Sequence, residues 1–475
     1  MTDTNQTIIR KSTLILLGNI LGMGSTFFLH ILLANTYNTS IYGIMVLSIT
    51  TVNLVSIFFL LGFPRAIARE GAIHTNHDQL FSATALMSIT TAVVGTMLVL
   101  FGLDSITTFL GIQKHSIIYG TFLAAIPFVV LVELGDGLFQ ALEWPPGRVI
   151  TKNFLMKFTP VLLAAFAYLS GIDHHLFSIF WVMIMILSAI TTIMVMRWKA
   201  GKIFTRDLNW TLTRRLFVFS VPLLLSDAVW ILIQQIDNYV ITYFSGSSSV
   251  GVYSSAFTLA KVLELAPASA SFIILPLLSK EFESNNSKRW NAIYESSTKW
   301  MAILSFPLVL LMISFPTRLI NVFYSEEYLT AGGVLPIIAI GFFTHTIFGV
   351  NKGGLIAIGR TRIVLYSGLI VLLLNTALNI ALVPQFGIVG AAVASVLTYL
   401  VMNIILYYYL FREMGASIFS KSMTLPLIVG FGIWFALSLY IPNWQAYSIS
   451  ILAFSIVTLM KSVSKFELEA IREII

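Results

Sequence analysis

The residues of this chain best suited to chemistry stand in rows. Asp227, Trp230, Gln234 and Asp237 follow one another at steps of three, four and three, and Ser254, Thr258, Lys261 and Glu264 at steps of four, three and three. Such spacing sets each row along one side of a helix. Shifted back by 211 residues, the rows land on Asn19 and Thr26 and on Thr50 and Asn53, with His30 extending the first. Carboxylates, an ammonium group, amides and an indole can hold a polar guest and take up protons, which is the chemistry of binding and carriage. Ionisable groups in a membrane each cost about 2.5–3.5 kcal/mol at a helix centre on insertion scales, so a polar face that recurs in both halves predicts a hydrophilic cavity between two bundles.

Lys261 and Glu264 have a second reading as a structural ion pair, since residues three apart on a helix are neighbours. Pro267, three residues after Glu264, removes a backbone bond and favours a locally opened helix instead. Asp237 lies near the outer end of its span, where solvation alone would explain it. Glu133 and Asp136 stand three apart and His345 and Lys352 seven apart, each pair suited to line an inner vestibule, although a lone His is commonly a packing residue and a Lys can snorkel to the interface. Arg65 and Arg69, four apart in the stretch Gly62 to Glu70, could meet one phosphate together or serve as a positive anchor.

The elements that must carry these residues are apolar. Of 475 residues 57% are hydrophobic and 10% charged, and the mean hydropathy is +0.89, more apolar surface than a soluble fold can hide. Fourteen apolar stretches are long enough to span a bilayer, near 13–33, 41–62, 81–103, 117–138, 153–171, 176–196, 216–243, 250–278, 300–320, 332–357, 363–383, 386–410, 422–441 and 444–461. Alternating sides puts 25 of the 28 lysines and arginines with the termini, Lys114 and Arg318 opposite, and Lys261 inside a span. Both termini are therefore expected on the cytoplasmic side of the plasma membrane. The net charge of +7 is spread between spans as a topology signal, which speaks against nucleic acid as a partner.

Tyr253 lies 211 residues after Tyr42, and Gly359-Arg360 lies 212 after Gly147-Arg148. Six spans per half keep the repeats in the same orientation, related by an axis along the membrane normal. The expected fold is an all-α polytopic membrane protein with about 14 transmembrane helices: a first six-helix bundle over 1–200, a second over 201–411, and two further helices with an interfacial tail over 412–475. The basic connection from Arg197 to Arg215 is the linker, and its middle, from Phe204 to Leu216, could lie along the interface. The tail residues Val463, Phe466, Ala470, Ile471 and Ile474 form a short amphipathic stripe.

Cys is absent, so disulfides, thiolate metal sites and thiol catalysis are excluded. No P-loop, dinucleotide fingerprint or His-Glu-x-x-His spacing occurs, so no cofactor, metal or catalytic residue is expected. The triplet Asn38-Thr39-Ser40 fits a glycosylation pattern in a very short loop. Glu326-Glu327 with Arg318 is the nearest approach to a catalytic constellation, one that a membrane-embedded glycan polymerase or glycosyltransferase would need.

Two blocks carry a resemblance. Leu223 to Phe282, and Gly359 to Leu400 with Asn375, Asn379, Pro384, Gly387 and Gly390-Ala-Ala, resemble the Wzx-like polysaccharide-transporter flippases of the multidrug/oligosaccharidyl-lipid/polysaccharide superfamily. The resemblance implies two six-helix bundles around a central cavity and alternating-access translocation of a polyprenyl-phosphate- or pyrophosphate-linked oligosaccharide for surface polysaccharide or glycan assembly. It implies that Lys261, with Arg65 and Arg69, attracts the phosphate, that Gln234, Trp230, Asn19 and Asn53 meet the sugar, and that Glu264, Asp227 and Asp237 are candidates for protonation coupled to transport. Partners would be the lipid-linked oligosaccharide, membrane lipid, protons or Na+ as coupling ion, and glycan-assembly proteins. A cation-coupled multidrug exporter is the alternative, although the first span lacks the aspartate common in such exporters.

Overall fold

The computed structural model describes residues 2–73, 77–201, 210–418 and 420–461. The amphipathic tail and residues 202–209 of the 197–215 connection lie outside the described residues, as do the side chains of Arg10, Lys11 and Pro267. The protein is an all-α polytopic membrane protein; among the described residues there is no strand. Its helices are α1 (Thr2–Thr36), α2 (Thr39–Leu60), α3 (Phe63–Ile73), α4 (His77–Phe101), α5 (Leu103–Phe109), α6 (Ser116–Leu123), α7 (Ile126–Ala141), α8 (Pro145–Arg148), α9 (Thr159–Ser170) and α10 (His174–Ala200). They continue as α11 (Trp210–Ala260), α12 (Leu265–Glu283), α13 (Ser287–Ser314), α14 (Pro316–Phe323), α15 (Leu335–Ile347), α16 (Val350–Ala357), α17 (Thr361–Met414), α18 (Lys421–Ser438) and α19 (Asn443–Lys461).

Each of the fourteen apolar stretches falls on helix. Ten helical stretches among the described residues are long and apolar enough to cross a membrane. The two longest helices are each divided where a glycine leaves helical geometry: α17 holds two stretches, parted at Gly387 (φ 55°), and α11 holds one and the start of the next, parted at Gly246 (φ 80°), the latter continuing into α12. Large apolar side chains such as Met97, Phe101, Leu169, Leu373 and Leu459 face outward, as a lipid solvent permits.

Two compact units, Met1–Ser255 and Ala256–Ile475, make up the chain. In the first, α7 is the central helix, packed by α2, α3, α4 and α10, while α1 lies against the π-helical segment Val149–Phe158 and α9. In the second, α13 and α15 are central, flanked by α12, α17, α18 and α19. The packing boundary falls inside α11, later than the boundary expected at 200/201, and the polar face of α11 is hydrogen-bonded to α2.

Candidate functional site

In the first unit, α2 and α3 meet α11 along a polar seam. Leu61 and Gly62 take positive φ (52° and 73°), which ends α2 and redirects the chain into α3. From α3, Arg65 Nη2 lies 2.6 Å from Asp227 Oδ1, the Arg69 guanidinium sits 4.5 Å from the Phe219 ring centre, and Glu70 lies 3.5 Å from Arg215. Arg65 and Arg69 thus diverge, one to a carboxylate and one to a ring, and do not form a joint phosphate clamp. Further along, the Thr50 hydroxyl donates to Gln235 Oε1 (3.2 Å), which also accepts from Asn238 Nδ2 (3.0 Å), and the Thr51 hydroxyl joins those of Tyr119 (3.0 Å) and Tyr239 (2.9 Å).

At the other end, Ser40 Oγ and Ser247 Oγ are 2.8 Å apart, as are Thr39 Oγ1 and Ser248 Oγ. The helices cross there at glycines: a Cβ on Gly43 would fall 1.9 Å from the Ser247 carbonyl oxygen, and one on Gly251 2.3 Å from the Thr39 carbonyl oxygen. Asn38 begins α2 by accepting from the Ile41 N–H at 2.9 Å, so the asparagine of the glycosylation-like triplet serves as an N-cap.

The buried hydroxyls of Tyr42 and Tyr253 each meet a titratable side chain. Tyr42 meets His30 Nδ1 at 3.1 Å, and the Tyr253 hydroxyl donates to Asp237 Oδ2 at 2.7 Å. Asp237 is only 2% exposed, so its position is buried and paired rather than solvated. Of the other row members, Asn19, Trp230 and Gln234 are half-buried and Asn53 is exposed. The hydrogen bond to α2 comes from Gln235, next to the Gln234 picked out by spacing.

Glu133 and Asp136 are inward on α7, as their three-residue spacing allows, and they meet a cationic row that sequence spacing obscured. Lys152 Nζ lies 2.7 Å from Glu133 Oε2 and 3.2 Å from Asp136 Oδ2, Arg148 Nε lies 3.6 Å from Asp136 Oδ1, and Gln140 Nε2 donates to Asp136 at 3.3 Å. Lys157 lies within electrostatic range of all four charges. Counted from sequence as topology signals, Arg148, Lys152 and Lys157 are steps of four and five apart. An α-helix would turn Lys157 away from Arg148, whereas the i→i+5 bonding of a π-helix, about 4.4 residues per turn, keeps all three on one face.

In the second unit, residues Lys261–Glu264 form a 3₁₀ turn between α11 and α12. Pro267 has no N–H to offer the Leu263 carbonyl, and Thr346 supplies the missing donor, its hydroxyl 3.1 Å from Leu263 O. Lys261 and Glu264 do not pair with each other among the described residues. Lys261 Nζ sits 5.8 Å from the Phe257 ring centre, while Glu264 and Lys352 lie within electrostatic range of His345, whose Nδ1 is 3.4 Å from Asn403 Nδ2. Glu264 and Lys352 thus have His345 as a common neighbour, while the ring contact of Lys261 is to Phe257. Replacing Thr346 by Val should strip Leu263 O of its donor and lower stability by about 1–3 kcal/mol, with Thr346→Ser close to wild type, as read by denaturation of the purified protein in detergent.

Arg318 lies 5.7 Å from the Phe315 ring centre and makes no ion pair with Glu326 or Glu327 among the described residues. The pieces of the suggested catalytic constellation are not assembled.

The polar seam and the broken helix are set in a fold shared with known transporters. The sequence model of the family described as "Polysaccharide biosynthesis protein" matches residues 8–282, more than half of the chain. The chain belongs to this family. A second family model, MatE, matches residues 222–381 of this polysaccharide biosynthesis family member. Among curated relatives, a putative O-antigen transporter of Shigella flexneri is 23% identical over 74% of this chain and 85% of its own length. A probable low-salt glycan biosynthesis flippase of Haloferax volcanii is 24% identical over 46% of this chain, and an uncharacterised membrane protein of Methanocaldococcus jannaschii 27% over 56%. This chain spans about half the length of those last two, 47% and 52%. Among solved structures, the lipid II flippase MurJ in an inward closed conformation superposes with a TM-score of 0.74 at 16% identity, covering 98% of this chain and all of that one. An inward-facing MATE-family multidrug resistance transporter does so with 0.72 at 15% identity, covering 82% and 94%. At these identities the likeness is one of fold.

Proposed function

We propose that the protein is a flippase, not an enzyme, that moves a polyprenyl-phosphate- or pyrophosphate-linked oligosaccharide across the cytoplasmic membrane by alternating access, for surface polysaccharide or glycan assembly. The family match supports the substrate class, together with relatives named for O-antigen transport and glycan flipping. The observation that carries the mechanism is Arg65 held by Asp227 at 2.6 Å. A carboxylate on a half-exposed guanidinium is a partner that a substrate phosphate can replace. Protonation of Asp227, or Na+ held by its carboxylate, would free Arg65 in the same way, linking the coupling ion to substrate capture. Lys261, Arg65 and Arg69 supply the positive charge, Gln234, Trp230, Asn19 and Asn53 the hydrogen bonds and ring surface for sugar, and Glu264, Asp227 and Asp237 the coupling carboxylates. Glu133, Asp136, His345 and Lys352 are the inner-vestibule residues of this reading. Fourteen spans with cytoplasmic termini, divided as 1–200, 201–411 and 412–475, complete the reading.

The Arg65–Asp227 pair has side-chain exposures of 57% and 33%, and exposed pairs contribute about 0–1 kcal/mol. Arg65→Gln should therefore leave thermal stability nearly unchanged while transport falls about tenfold, the scale of one lost charge-assisted contact. A fall in stability that matches the fall in transport would make Arg65 a packing residue.

The second reading, a cation-coupled multidrug exporter, is favoured by the MatE match over 222–381. A deletion strain separates the two. Accumulated lipid-linked oligosaccharide, relieved by the wild-type gene and not by Lys261→Ala at equal expression, is the flippase result. Relief by both copies would keep the flippase and make Lys261 structural. Drug sensitivity without accumulation would establish the exporter.

A further inference from the structure

The second unit contains a cationic cavity that the transport reading leaves unused. It has a volume of about 540 Å³ and lies where α17 begins and where its second half ends, lined by Arg360, Thr361, Arg362, Tyr409, Arg412 and Glu413. Arg360 Nη2 is 3.0 Å from Glu413 Oε2, so the single carboxylate in the lining is taken. Arg362 and Arg412 are exposed and have no carboxylate partner among the described residues. Three guanidinium groups against one carboxylate leave the cavity two charges positive. Along α17 the neighbouring outward residues are apolar: Tyr366, Ile370, Leu373, Ile404, Tyr408 and Phe411 are all more than half exposed. A charged recess at the end of an apolar band fits a ligand with an anionic head and hydrocarbon chains. The positive-inside pattern puts that end at the cytoplasmic interface, where anionic lipid phosphates are abundant.

We propose that this cavity binds the phosphodiester headgroup of an anionic membrane phospholipid. Arg362 and Arg412 grip the phosphate oxygens, each guanidinium offering a planar fork of N–H donors. The Arg360–Glu413 pair holds the two ends of α17 together behind them. The acyl chains then run along the apolar band. The site is separate from the residues assigned to the oligosaccharide, and its occupancy does not depend on what is transported.

The test is native mass spectrometry of the full chain in detergent, titrated with phosphatidylglycerol or with phosphatidylcholine of the same acyl chains. Wild type should retain phosphatidylglycerol about tenfold better, since each arginine near an anionic lipid contributes a several-fold preference. Arg362→Gln with Arg412→Gln should abolish the preference, Arg362→Lys with Arg412→Lys should keep most of it, and excess inorganic phosphate should not displace the lipid. Equal retention of the two lipids, or an unchanged preference in the double Gln variant, overturns the proposal. Displacement by inorganic phosphate overturns the lipid assignment in favour of a free-phosphate site. Should the double Gln variant fail to fold, photoreactive phosphatidylglycerol on the wild-type chain decides the matter. Adducts on 359–366 and 404–413 support the site, and adducts confined to other segments refute it.

Discussion

Replacing Lys152 with Met should destabilise the protein by about 3–5 kcal/mol, the usual cost of stranding a buried charge. Lys152 is 16% exposed and bridges Glu133, 24% exposed, and Asp136, 5% exposed. The mutual attraction of such groups offsets the cost of taking them out of water only while the set is complete. With Lys152 gone, Asp136 keeps Arg148 at 3.6 Å, and Glu133 loses its direct partner, with Lys157 left within electrostatic range. The double change Lys152→Met with Glu133→Gln should consequently recover most of the loss. Denaturation of the purified single and double variants checks this. A double variant as unstable as Lys152→Met alone would show that Lys152 acts through its packing instead.

Gly43→Ala should cut transport by about tenfold or more without unfolding the protein. Alanine is about 1 kcal/mol better than glycine inside a helix, so α2 by itself gains. What it loses is the crossing with α11, since the new Cβ would lie 1.9 Å from the Ser247 carbonyl oxygen and 2.9 Å from the Gly251 nitrogen. Both are backbone atoms and cannot turn aside as a flexible side chain would. The start of α2 and the kink of α11 at Gly246 are then held apart, and a carrier that cannot close one end cannot complete its cycle. The chain has no cysteine, so the contact can be read directly. Cysteines replacing Ser40 and Ser247, whose hydroxyls are 2.8 Å apart, should form a disulfide in the wild-type background and far less of it beside Gly43→Ala. Equal cross-linking in both backgrounds would show that the crossing absorbs the methyl group.

The fold was largely legible because lipid imposes long apolar helices and leaves few alternatives. The break at Lys261–Glu264 was legible for a similar reason: a proline four residues after Leu263 must free that carbonyl. The site was legible in type and less so in pairing. Spacing identified Arg65 and Asp227 separately, but 162 positions of chain separate them and only the turn at Leu61-Gly62 aims one at the other. Glu264 was read with Lys261 because they are three apart, whereas packing sets it near His345, 81 positions on. The cationic row at Arg148, Lys152 and Lys157 was hidden because α-helical periodicity is the wrong ruler for a π-helical segment. Gln235, next to the residue chosen by spacing, differs from it by the 100° between neighbours on a helix, a distinction that needs the partner helix to be seen.

The most direct measurement is transbilayer movement of a polyprenyl-pyrophosphate-linked oligosaccharide in proteoliposomes containing the purified chain, followed by the sugar's accessibility to an impermeant glycan-modifying reagent. Inward-oriented substrate should become accessible over time with the wild-type protein, remain protected with the Ser40→Cys/Ser247→Cys disulfide variant, and become accessible again on reduction. Substrate that stays protected with correctly folded wild-type protein under every imposed H+ or Na+ gradient would contradict the flippase account.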